Sequence, residues 1–256
     1  MGVVWGAECR RVLRSSRVVA LLGLYSLFTL LVFIGAALLR SLVQQFAQTG
    51  MITETGDMPL AVQVVFYLSL FFLPVYVALM GFDQVSGEVG PRSIRYLTVR
   101  ARRTSVLLGK FLAQTTVLLA LVFALDTGLC IYTALTTPGL GAGTLVLHLL
   151  KFWMSSTVFS LAFLALTSLC SSLATSPPVS LIANLAVLMF SLLLWMTAMA
   201  GADNPLRLLR FLSPLRYSTR LLSPEPSQVA LSVVAYAVFT LVFLGGALLG
   251  LRTRDV

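Results

Sequence analysis

Asp126 is the one carboxylate deep inside a long apolar run, set between Leu125 and Thr127. A carboxylate at that depth is costly to keep charged, so it is by default a functional candidate: a contact on a translocation path, a proton carrier, or a partner for Arg or Lys on another helix. The structural alternative is a hydrogen bond to Thr127 or to a Ser or Thr nearby, and the residues alone leave both readings open. Other routes to chemistry fail on spacing. Gly109-Lys110 would suit a phosphate-cradling loop, but position 104 is Thr where the pattern needs Gly. Ser86-Gly87 lacks the glycine two residues earlier that an intramembrane serine nucleophile requires; that position is Gln84. His148 stands alone near Lys151, and Cys9, Cys130 and Cys170 show no metal-ligand spacing. No nucleophile–base or paired-carboxylate set appears. The expectation is a non-catalytic chain that binds neither metal nor cofactor itself.

Composition decides what carries these residues. Of 256 residues, 58% are hydrophobic and 11% charged, whereas soluble domains carry about a quarter charged. One soluble core could not hide that much apolar surface. The net charge of +9 would suggest nucleic acid in a soluble protein. Here the basic residues flank apolar runs, as anchoring to anionic headgroups and orienting a membrane chain require. Nucleic acid is therefore excluded as a partner and membrane lipid is expected.

Six apolar stretches are long enough to cross about 30 Å of hydrocarbon, which takes about 20 helical residues. They lie near 18–39, 59–82, 107–135, 146–173, 178–200 and 228–251. Only helices satisfy their own backbone in lipid, so the expected fold is a single all-α domain over 1–256. The first stretch follows Arg10, Arg11, Arg14 and Arg17 and is too long for a signal-peptide core, so it reads as a retained span. With the N-terminus inside, twelve Lys and Arg face the cytoplasm and six face outward. Both termini are therefore expected in the cytoplasm.

Four of the outer basic residues, Arg207, Arg210, Arg216 and Arg220, fall between the fifth and sixth stretches. Asn204-Pro205 and Ser213-Pro214 each have the form of an N-cap followed by proline at the first helical position. Arg207 and Arg210 then share one face, while Leu208, Phe211 and Leu212 share another; Arg216 and Arg220 stack at i, i+4. Two short amphipathic helices lying in the outer interface are expected. This basic cluster is a candidate exit boundary or docking point for an extracytoplasmic partner.

The most polar part of the chain is 83–106, between the second and third stretches. It carries Asp83, Ser86-Gly87-Glu88, then Ser93-Ile94-Arg95-Tyr96-Leu97, and leads into Gly109-Lys110-Phe111. A short helix starting after Pro91 would display Arg92, Arg95 and Tyr96. From charge alone this is a solvated positive-inside loop. The ordered residues, however, resemble the ABC-2 permeases, the membrane subunits of type V ABC exporters. Span number, Glu8 in a basic N-terminal helix, and the short helices before the last span extend the resemblance over essentially the whole chain. It departs at Pro91, Arg92 and Ser93, where a Gly-Thr step is common.

The resemblance implies a permease subunit of an ATP-driven exporter in the bacterial inner membrane, paired with a second permease, identical or related. ATP and Mg would sit on a separate ATPase subunit. The segment 83–106 would form a coupling helix docked on that ATPase, with Asp83, Ser86, Gly87, Glu88, Arg92, Arg95 and Tyr96 as contacts. The Ser171–Ser176 loop would be a second, smaller contact. Two alternatives remain at this level: a non-transporting scaffold joining an ATPase to an extracytoplasmic machine, and a proton-coupled transporter using Asp126.

Overall fold

A computed structural model describes residues 2–38, 60–89, 103–136, 141–197, 205–223 and 225–253, and every regular element among them is helical. They are α1 (Gly2–Arg14), α2 (Ser16–Leu38), α3 (Leu60–Gly81), α4 (Ser86–Val89), α5 (Arg103–Thr136), α6 (Ala142–Leu173), α7 (Pro177–Met196) and α8 (Pro226–Thr253). Three short 3₁₀ helices, Pro205–Leu212, Pro214–Tyr217 and Thr219–Leu222, precede α8. Among the described residues, α5, α6, α7 and α8 contain segments long and apolar enough to cross a membrane. The helices α2 and α3 coincide with the first and second apolar stretches of the sequence.

Where helix bounds depart from the apolar stretches, the departures have local causes. Pro177 opens α7 behind an extended Ser176, because proline's fixed φ suits the first helical turn. Helix α6 runs on to Leu173, leaving only Ala174, Thr175 and Ser176 to link it to α7. The expected Ser171–Ser176 loop is therefore half helix. Likewise, the last residues of the 83–106 segment, from Arg103 onward, belong to α5. A helix does form in that segment, but at Ser86–Val89, before Pro91. The helix expected after Pro91, with Arg92, Arg95 and Tyr96, lies outside the described residues.

Helix α6 is the hub, packed by α8, α5, α3 and α7. Phe159, Phe163 and Leu164 of α6 are buried with Leu73 and Val77 of α3, Leu118 of α5 and Tyr236 of α8. The α6–α8 pair is the most extensive, and two glycines explain its closeness. A Cβ on Gly250 would lie 2.8 Å from Leu173 Cδ2, and one on Gly246 would lie 3.1 Å from Leu169 Cδ1. This small-xxx-small pair closes a helix contact within the chain.

The chain order puts both ends of the described fold at one end of the bundle. Arg103 at the start of α5 donates Nη1 to Leu251 O near the end of α8 at 2.8 Å. The same α5 end receives α1, through Lys110 and Glu8 at 2.9 Å.

The opposite end is closed differently from expectation. The first 3₁₀ helix, Pro205–Leu212, leaves Leu208, Phe211 and Leu212 exposed, whereas the two that follow are tied into the bundle. Tyr236, ten residues into α8 and so about 15 Å along its axis, donates its hydroxyl to Pro214 O at 2.8 Å. Ser155 Oγ approaches Leu221 O at 3.5 Å from well inside α6. Ser213 is no cap: its Oγ donates to Ser191 O on α7 at 2.7 Å. Irregular backbone at that depth is tolerated only when protein groups satisfy it, and Tyr236 and Ser155 do so for two of its carbonyls. Pro214 opens the second 3₁₀ turn directly after Ser213, so the first cannot run on as one helix, and together the turns form a plug held on α6, α7 and α8.

Candidate functional site

The candidate site begins where α3 ends. A Cβ on Gly81 would lie 2.8 Å from Thr167 Cγ2 and 2.9 Å from Gln114 Oε1. Glycine thus lets the end of α3 press against α5 and α6 at once. The chain then turns through Phe82–Val85 into the single helical turn of α4. A turn this short cannot satisfy its own first N–H groups. Ser171 of α6 does so instead: its Oγ accepts from Val85 N at 2.9 Å and Ser86 N at 3.1 Å, and donates to Phe82 O at 2.9 Å. Ser86 Oγ also donates to Phe82 O, at 2.8 Å. Ser168 Oγ reaches Gln84 Oε1 at 3.1 Å. The end of α6 caps α4 in place of a residue of its own.

Glu88 then points into the protein. Its Oε1 lies 2.6 Å from Lys110 Nζ on α5 and 2.9 Å from Arg11 Nη1 on α1. Lys110 Nζ also meets Glu8 Oε1 at 2.9 Å, and Arg11 Nη1 lies 3.7 Å from Glu8 Oε1. Among the described residues these contacts set two carboxylates against two cations, the pairing that buried charge requires. Lys110 and Glu88 have side chains only 4% and 8% exposed, so this is a buried pair; Arg11, at 66%, is a surface member. The hydrogen bond that Arg11 donates to Glu88 pushes its guanidinium further above its ordinary range. Burial, with the nearby charge of Glu8, raises the Cys9 thiol, which keeps it in its unreactive protonated form.

Helix α1 can reach this cluster because Gly109 has no side chain. A Cβ there would lie 2.8 Å from Val4 Cγ1 and 3.1 Å from Val4 Cβ. Next to it, Lys110 enters the charge cluster and Phe111 enters the apolar core. Trp5 Nε1 adds a hydrogen bond to Thr116 Oγ1 at 3.2 Å. The arrangement is an ion-pair junction. It ties three elements, α1, α4 and α5, at one charged point.

The structure therefore groups Ser86 and Glu88 with Glu8, Arg11, Lys110 and Ser171. Glu88, expected as a surface contact, is a buried anchor in this chain, 6% exposed, whereas Asp83 and Gly87 are half-exposed. Arg92, Arg95 and Tyr96 lie outside the described residues. Asp126 sits apart on α5, buried, its Oδ2 without a hydrogen-bond partner among the described residues. At the other end, the Arg216 guanidinium lies 3.6 Å from the Phe211 ring centroid and Arg210 lies 5.3 Å from it. Arg216 and Arg220 fall on separate 3₁₀ turns rather than one stacked face. Arg220 is half-buried, and the Arg207 side chain is not among those described.

Sequence reasoning missed Ser171 as a cap and the pairing of Glu88 with Lys110. The available signal was a serine and a lysine placed where apolar residues were expected. No curated protein matches the chain. The family model described as ABC-2 family transporter protein matches residues 3–255, which is nearly the full length and spans every element of the Glu88 cluster, so the chain belongs to the ABC-2 transporter family.

Proposed function

We propose that this chain is the permease subunit of an ATP-driven exporter, with six spans formed by α2, α3, α5, α6, α7 and α8. The Glu88 end faces the cytoplasm of a bacterial inner membrane, and the 3₁₀ plug faces outward. Members of the family work with an ABC ATPase subunit. The segment from Asp83 onward is the docking element for that ATPase, with Arg92, Arg95 and Tyr96 among its contacts. ATP and Mg are held by the ATPase, and two permease chains, identical or related, complete the path.

The observation that carries this reading is the anchoring of α4. A lever must be stiff at its base to pass a partner's movement to the helices. Here that base is fastened to α6 by Ser171, to α5 by Lys110 and to α1 by Arg11. Closure of the ATPase would then move α1, α5 and α6 together. Copurification tests it: Arg95→Glu abolishes recovery of the ATPase while membrane insertion and helix content stay intact. Undiminished recovery would move the docking site elsewhere.

The buried Oδ2 of Asp126 favours one second reading, transport coupled to protons. It requires transport that survives loss of the ATPase and collapses with the proton gradient. A single intramembrane acid is sparse for such a relay, which is why the ATPase reading stands first.

A further inference from the structure

We propose that the exposed face of α1 is a binding surface for anionic phospholipid headgroups, centred on Arg10 and Arg14. The proposal rests on the reading of α2 as a membrane span, because a single residue, Ser15, separates α1 from α2. That short link keeps α1 at the mouth of the bilayer.

The packing on α5 fixes which way α1 faces. Val4 abuts Gly109, Cys9 Sγ lies 4.0 Å from Ala113 O, and Glu8 and Arg11 are taken up by Lys110 and Glu88. Arg10 and Arg14 are left on the outward side, both exposed and with no ion pair among the described residues. They stand at i and i+4, one above the other, where two like charges repel. Repelling guanidiniums held on one face match an anionic surface, and each offers a fork of donors suited to phosphate.

Neighbouring side chains select a lipid surface over an acidic protein. Leu13 and Trp5 on the adjoining strip of α1 are 56% and 40% exposed. A basic strip beside an exposed apolar strip is the pattern of a helix lying in the headgroup layer. Headgroup binding would also brace the charge cluster, since Glu8 and Arg11 lie on the same short helix.

Native mass spectrometry of the purified full chain, titrated with dioleoylphosphatidylglycerol or dioleoylphosphatidylcholine, tests this directly. The wild type should retain the anionic lipid in preference to the zwitterionic one. Each arginine near a charged surface is worth about fivefold in affinity, so R10Q/R14Q should weaken phosphatidylglycerol binding by about 25-fold. R10K/R14K should keep most of it, and K151Q, at the other end of the bundle, should change nothing. Phosphatidylglycerol retention unchanged in R10Q/R14Q overturns the proposal. So does a result in which that variant keeps its lipid and loses the ATPase, which would give this face to the protein partner. Lipid binding is read without the ATPase, so its failure leaves the exporter reading untouched.

Discussion

Lys110 Nζ lies 2.6 Å from Glu88 Oε1, joining the first turns of α5 to the single turn of α4 inside the protein. Breaking a buried pair from one side leaves an uncompensated charge and costs about 3–5 kcal/mol. Lys110→Met and Glu88→Gln should each lower the thermal midpoint in detergent, whereas the double variant should recover much of the loss. Arg11→Gln, at the exposed edge, should cost no more than about 1 kcal/mol. Additive losses in a double-mutant cycle would show that the two groups do not act as a pair.

Gly109 sets the approach of α1. The nearest atoms are those of Val4, a stiff branched side chain that cannot swing away cheaply. Gly109→Ala should cost about 1–3 kcal/mol by overpacking, and Val4→Ala in the same chain should restore part of it. Limited proteolysis within α1 offers a second readout, with faster cleavage expected in Gly109→Ala alone.

Ser171→Ala removes the acceptor of two buried N–H groups, Val85 and Ser86. Each orphaned group costs about 1–3 kcal/mol, yet the apolar core of α6 is untouched. Hydrogen exchange should therefore accelerate at Phe82–Val89 with little change at Phe159–Leu164. Uniform acceleration along α6 would indicate global loosening and defeat the capping role.

Tyr236→Phe leaves Pro214 O without its donor while keeping the ring among Phe159, Tyr217 and the rest of the core. The expected loss is about 1–2 kcal/mol, accompanied by labelling of an introduced cysteine at Leu215 by a membrane-impermeant thiol reagent. An unlabelled, equally stable variant would mean the plug is held by other contacts.

Asp126→Asn replaces a buried carboxylate that has no hydrogen bond on Oδ2 among the described residues. A neutral amide is cheaper to bury, so stability should rise by about 1–2 kcal/mol. Transport measured in proteoliposomes separates the roles: a more stable, transport-dead variant assigns Asp126 to function, and a more stable, active one assigns it to neither transport nor packing.

The helices themselves were legible from residue types, because a helix closes its hydrogen bonds within one segment and needs only an uninterrupted apolar run. Asp83–Glu88 and Gly109–Phe111 were likewise legible as the informative stretch. What they do was not. Glu88 meets Lys110 across 22 residues, Ser171 meets Val85 across 86, and Glu8 meets Lys110 across 102. No periodicity spans such distances, so only tertiary packing turned Glu88 from an apparent surface contact into a buried anchor. The 3₁₀ plug shows the same division. Its prolines and arginines were readable as a break between spans, but the donors that hold it, Tyr236 and Ser155, lie on helices whose own patterns read simply as lipid-facing or core. Local hydrogen bonding makes a segment's shape a property of its sequence, while the partner of a buried charge or carbonyl exists only once the helices have packed.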